Sequence, residues 1–339
     1  MQTLILSADA PDTPALAAKI IQQGGLVAIP TETVYGLGAN GLEESAVARI
    51  FLAKGRPQDN PLILHVAQPS DMEKFCHHIP AAAYALAEAF WPGPLTMILP
   101  AANALIAPSV RCGLATIAFR SPSAAGARAL IERSGRPIAA PSANLSGRPS
   151  PTTAAHVYED MNGRVPLILD GGPCAVGIES TVLDLTGEIP VILRPGIVTA
   201  EQLRAVTGEV RIHPAALAQL AAGEKAASPG MKYKHYAPRA RVTVVSGRRR
   251  VETLQSLYDQ TANAVLLVSA ATAARLRGKI ELCGSGDAAS AAHELFSALR
   301  RCDELGCEQI FAEGYDASDE GLGVMNRLLR AAAFRVVKL

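Results

Sequence analysis

A chain of 339 residues, 49% hydrophobic and 19% charged, has the composition of a globular protein long enough to build two cores. Its 32 basic and 31 acidic residues nearly cancel, which argues against coating nucleic acid by bulk charge but leaves room for a local basic groove. No apolar stretch approaches the ~18 residues of a membrane-spanning helix, so a cytoplasmic protein without a membrane partner is expected.

The opening residues MQTLILS lack the basic leader and long apolar core of a secretory signal and read as a first strand. Short β-type runs follow at 26–29, 62–66, 95–99, 116–119, 138–140, 167–169, 181–185 and 191–193. Between them, apolar spacing near 3.6 predicts helices at 14–23, 43–53, 81–90 and 124–134. Proline and glycine punctuate nearly every junction. The alternation predicts an α/β domain, a large twisted sheet with helices over it.

After a helix expected at 199–206 the texture changes. Residues 209–229 are alanine-rich, and MKYKHYAP at 231–238 is aromatic and basic together, unusual for a passive linker. From Arg241, strands at 242–245, 264–268, 280–283 and 309–312 alternate with helices at 252–258, 270–276, 288–302 and 321–334. That layout predicts a second, smaller Rossmann-like α/β domain. The triplet Arg248-Arg249-Arg250 starts or precedes a helix and reads as a solvated face. Six cysteines without a C-x-x-C pair read as reduced, partly buried thiols.

Chemistry-bearing residues recur at the ends of the first domain's strands. PTETVYGLG spans 30–38, Lys54-Gly55-Arg56 closes a helix, His65 lies near the end of one strand and Arg120 just past another. Pro141-Ser142-Ala143-Asn144 lies past another, and Glu179-Ser180-Thr181 and Arg194-Pro195-Gly196 lie near two more. Each has a plain reading alone: threonines as turn caps, cations favoured by a helix dipole, a lone histidine at a rim. Repeated around one sheet, where open α/β folds place ligands, they suggest a site for a polyanion with a small polar partner. There is no G-x-x-x-x-G-K-[ST] loop, G-x-S-x-G elbow or H-E-x-x-H motif, so binding and orientation stand out over a covalent nucleophile.

PTETVYGLG, the Lys54-x-Arg56 and Ser142-x-Asn144 pair, and SPGMKYKHYAP at 228–238 together resemble the Sua5/YrdC/YwlC family in its two-domain, Sua5-type threonylcarbamoyl-AMP synthase form. The resemblance implies a YrdC/TsaC-like catalytic domain over 1–206, with a twisted mixed sheet. It further implies a linker over 207–240 that folds over the active site, and a Sua5 C-terminal domain over 241–339. The implied activity is that of a nucleotidyltransferase joining L-threonine, bicarbonate and ATP into L-threonylcarbamoyl-AMP, diphosphate and water. Mg²⁺ would accompany ATP, with no protein ligands for it identified. A downstream transferase complex would pass the group to adenosine 37 of tRNA as the t6A modification.

By the same likeness Lys54, Arg56, Ser142 and Asn144 form the catalytic signature. Lys54, Arg56 and Arg194 would hold phosphates, with Asn60, Thr116, Ser142 and Ser150 fixing the nucleotide. Tyr233 and Tyr236 are alternative nucleotide contacts from the linker. Thr33, His65, Arg120, Ala140 and Ser180 would surround threonine, Arg120 on its carboxylate. No general base is identified. Two rivals stand beside this reading. A basic groove could contact RNA through Lys54, Arg56, Arg120, Arg148 and Arg194. Hydrogenase-maturation carbamoyltransferases share the first signature, but their zinc-finger segments have no counterpart here.

Overall fold

The structure, a computed structural model, describes residues 2–102, 105–218 and 236–339. Its larger sheet contains β1 (Leu4–Ser7), β2 (Val27–Ile29), β3 (Gly36–Asn40), β4 (Ile63–His65), β5 (Leu95–Pro100) and β6 (Thr116–Arg120). It continues with β7 (Ile138–Ala140), β8 (Leu167–Asp170), β9 (Thr181–Asp184), β10 (Val191–Arg194) and β11 (Arg211–Ile212). The order is β1-β8-β2-β3-β7-β4-β6-β5-β9-β10-β11, with parallel and antiparallel pairs mixed.

The central strands β2, β4 and β7 are buried along their whole length, so both faces need cover. Helices Thr13–Gln22 and Ala125–Ser134 supply Ala17, Ile21, Leu130 and Ile131 to one face. Helices Glu44–Lys54 and Ala81–Phe90 supply Val47, Ile50, Phe51 and Leu86 to the other.

β3 was not among the expected strands, because its glycines suggest a turn. They instead permit close packing: a Cβ on Gly38 would stand 2.8 Å from the Ile138 side chain. β11 is two residues long and carries no legible period.

The second sheet comprises β12 (Arg241–Ser246), β13 (Ala264–Val268), β14 (Ile280–Leu282), β15 (Gln309–Glu313) and β16 (Val336–Lys338). All its pairs are parallel, in the order β14-β13-β15-β12-β16. The last helix, Asp319–Ala331, stops short of the expected 334. Ala333 and Phe334 take positive φ (47° and 60°) and turn the chain into the unexpected edge strand β16.

Helices Ala288–Glu304 and Asp319–Ala331 pack on each other and against the larger sheet's half of the molecule. Arg300 donates to the Pro149 carbonyl and to Asp160, each at 2.7 Å. Asn326 and Arg330 donate to the carbonyls of Ala216 and Ala215. The polar side of Asp319–Ala331 is therefore buried in a junction rather than solvated. Arg250 of the arginine triplet pairs with the buried Glu313 at 3.0 Å. All six cysteines are free thiols, five of them buried.

Candidate functional site

A cleft opens where β4, β6, β7 and β10 end and β9 begins. Thr33, His65, Arg120, Ala140, Arg56, Ser142, Ser180, Arg194 and Tyr236 are among the residues that line it. Parallel pairing of β4 with β6 sets His65 beside Arg120 in register, so both reach the same rim.

Arg120 is 4% exposed, and burying a guanidinium requires partners. It donates to the Thr33 hydroxyl at 2.8 Å and the Gly93 carbonyl at 3.3 Å, and lies 2.7 Å from a Glu32 oxygen. Burial alone would raise the Glu32 carboxyl; Arg120, together with backbone N–H groups that include Ser123's, more than offsets it and keeps the group ionised. Burial first, and then Arg120, push His65 down to about 4, so its ring is neutral near pH 7. Its Nδ1 has no partner among the described residues, leaving a polar atom for a ligand.

The two signature pairs divide their work. Gly55 closes helix Glu44–Lys54 in the left-handed region (φ 61°), and the chain turns between Lys54 and Arg56. Arg56 lines the cleft, half-buried, held by the Asn60 and Pro61 carbonyls; desolvation lowers it to about 10, still charged. Lys54 instead runs behind the loop and donates at 2.5 Å to the carbonyls of Ser142 and Asn144. Burial, aided by Arg56, lowers its pKa well below the ordinary value. Asn144 is likewise internal, accepting from the Ser142 hydroxyl and donating to the Leu145 and Arg148 carbonyls. Arg56 and Ser142 thus face the cleft, while Lys54 and Asn144 fasten the loop that presents Ser142.

Arg194, also 4% exposed, donates to the Ser180 carbonyl and hydroxyl at 3.1 Å each. Ser180 shares a further hydrogen bond with Thr96 at 2.8 Å. Other expected contacts lie off the wall. Asn60 is buried beside Arg56 with its amide oxygen unpartnered among the described residues. Thr116 begins β6, about 13 Å along the strand from Arg120. Ser150 is fully buried and donates to Glu179 at 2.5 Å. Tyr236 lines the cleft, whereas Tyr233 lies outside the described residues.

Three participants were not assigned from sequence. Glu32 and Glu179 stood inside quoted motifs without a role, although a carboxylate beside a cluster of cations is a signal for a counter-charge. Arg327, from the second sheet's half, donates to the Glu179 carboxylate at 2.9 Å. Asn326, Arg327 and Arg330 set among the apolar residues of the last helix were its only trace.

A family model described as telomere recombination, named for Sua5, YciO and YrdC, matches residues 19–196. A second, described as threonylcarbamoyl-AMP synthase C-terminal domain, matches residues 198–333. The threonylcarbamoyl-AMP synthase of Pyrococcus abyssi is 47% identical over 330 residues, covering 96% of this chain and 95% of that protein. The chain belongs to the threonylcarbamoyl-AMP synthase family. The Bacillus subtilis member is 45% identical, covering 96% of this chain and 94% of that protein. The solved P. abyssi Sua5 complexed with L-threonine superposes with a TM-score of 0.92 at 44% identity, each chain covered in full (100% and 100%). The family's two-part architecture accordingly matches the two sheets found here.

Proposed function

We propose that the chain is a nucleotidyltransferase that makes L-threonylcarbamoyl-AMP and diphosphate from L-threonine, bicarbonate and ATP. The observation that carries this reading is one cleft lined by two kinds of group. Thr33, neutral His65 and Arg120 suit a small amino acid, and Arg56 and Arg194 suit phosphates. The relative solved with L-threonine supports the first assignment. Residues 1–206 would form the catalytic domain, 207–240 the covering linker and 241–339 the C-terminal domain.

In this reading threonine's amine and bicarbonate form a carbamate with loss of water, and a carbamate oxygen attacks the α-phosphorus as diphosphate leaves. Two anions must be brought into line, so Arg56 and Arg194 offset charge while Arg120 anchors the amino-acid carboxylate. Arg120 keeps Glu32 as a counter-ion, which limits the charge it adds to a buried site. Ser142 is presented by the loop that Lys54 and Asn144 fasten, and Ala140 offers backbone beside it. Tyr236 helps exclude water from a labile acyl phosphate. Mg²⁺ would arrive with ATP. Glu179, a carboxylate at the wall, is engaged by Ser150 and Arg327, which suits an ion held chiefly by phosphates and water.

The product would pass to a threonylcarbamoyl transferase complex for t6A formation in tRNA, in the cytoplasm. No helix among the described residues is long and apolar enough to cross a membrane. Direct RNA binding through the five cations is less favoured: Arg120 and Arg194 are buried, and Arg148 pairs with Asp160 at 2.7 Å. Carbon-labelled bicarbonate tests the reading. Label should enter an AMP adduct only when threonine and ATP are both present; label-free nucleotide products would contradict it.

A further inference from the structure

Arg327 is fully buried, 131 residues after Gly196 in the chain, yet it touches the segments on either side of Arg194's partner set. Its Nε donates to the Glu179 carboxylate and its Nη2 to the Glu179 carbonyl, both at 2.9 Å. Its Nη1 donates to the Pro195 carbonyl. The guanidinium carbon stands 5.9 Å from the centre of the Tyr236 ring, which also packs against Phe296 at 5.2 Å between ring centres. One side chain of the C-terminal half therefore fastens the entry to β9 and the exit from β10 and lies against a tyrosine of the cleft's lining.

The charge balance gives this fastening a chemical consequence. Glu179 lines a cleft for a polyanion, where an uncompensated carboxylate would repel phosphate. Two arginines hold that carboxyl ionised against the opposing effect of burial, Arg327 the stronger and Arg194 the weaker. Without Arg327, the carboxylate would compete with the nucleotide for Arg194. We propose that Arg327 is a positioning residue through which the C-terminal domain completes the nucleotide subsite, occupying Glu179 so that Arg194 and Tyr236 are set for ATP. The inference rests on the synthase reading above and deepens it. The threonine-side groups Thr33, His65 and Arg120 make no contact with Arg327, so their task should be largely independent of it.

The test uses the full chain with Arg327→Gln, Arg327→Lys, Glu179→Gln and the double Arg327→Gln/Glu179→Gln. Calorimetry with α,β-methylene-ATP and, separately, with L-threonine reads binding without turnover, and diphosphate release gives KM for each substrate. Arg327→Gln should weaken analogue binding and raise the ATP KM by about tenfold or more, with threonine binding within about twofold. Arg327→Lys, retaining charge without the planar fork, should fall between. Removing the carboxylate as well should recover part of the lost analogue affinity, a rescue that loss of packing alone cannot give. Equal losses for both ligands, tracking a fall in Tm with no rescue in the double variant, would overturn the proposal by reducing Arg327 to domain docking. Wild-type analogue affinity in Arg327→Gln would overturn it too. If Arg327→Gln fails to fold, Arg327→Lys against the double variant carries the same comparison. A wild-type chain that binds the analogue yet shows no threonine-dependent release would refute the synthase reading, while the binding comparison still decides the role of Arg327.

Discussion

Lys54 and Arg56 are two residues apart, yet one turn of chain gives them different surroundings. Both were legible as members of a signature, but sequence alone assigned both to phosphate. Burial separates them: Lys54 holds two loop carbonyls, and Arg56 reaches the cleft. Arg56→Ala should lower the rate of diphosphate release by at least about a hundredfold, with Tm within a few degrees, because it removes charge from a half-open wall. Lys54→Ala should instead destabilise the fold by about 1–3 kcal/mol for each carbonyl left without a donor. Thermal melts of the two variants separate the roles; equal Tm losses would contradict them.

His65 makes a pH test at the same scale. Its folded pKa, about 4, lies below the ordinary 6.5, so the native state binds fewer protons than the unfolded chain between those values. Its contribution is complete above about pH 6.5 and is lost as pH falls toward 4. His156, lowered to about 4 by burial and then by Arg300, acts in the same direction. Denaturant midpoints should fall across this window, less steeply in His65→Asn; an unchanged slope in that variant would contradict the assignment.

Among elements, apolar runs bounded by proline and glycine were readable because a strand buried on both faces needs little else. Strand Ile138–Ala140 and helix Ala81–Phe90 coincide with their expected bounds. β3, β11 and β16 were not readable: glycine packing, a two-residue length and a late reversal leave no period. Helix Asp319–Ala331 was found, but its buried polar side was not, since only the docked sheet converts that side into an interface. Gly323 shows how tightly it is seated. A Cβ there would stand 3.0 Å from the Gly196 carbonyl, and Gly196 cannot retreat because its own Cβ position is 2.5 Å from the Thr181 nitrogen. Alanine would add about 1 kcal/mol of helix propensity. The overpacking, about 1–3 kcal/mol, should exceed that gain, so Gly323→Ala should lower Tm. A raised Tm would show that the seat can yield.

At the scale of the whole molecule, the larger sheet carries the cleft, and helix Asp319–Ala331 of the smaller sheet's half holds the Glu179 and Pro195 segments behind it. The α/β class, the second parallel sheet and the family were legible in local patterns and long motifs. The junction was not, because Arg300, Arg327 and Arg330 meet partners more than 100 residues away. Deleting residues 228–339 should therefore cut turnover sharply, since it strips Glu179 of its arginine and removes Tyr236; unchanged kinetics would make that half an accessory. The most direct measurement is diphosphate release from ATP by the purified full chain, with Mg²⁺, comparing reactions with and without L-threonine and bicarbonate. Release that requires both, accompanied by a labile threonine–carbonyl–AMP product, is the expected result. Release indifferent to threonine, or none from a folded chain, would contradict the synthase assignment.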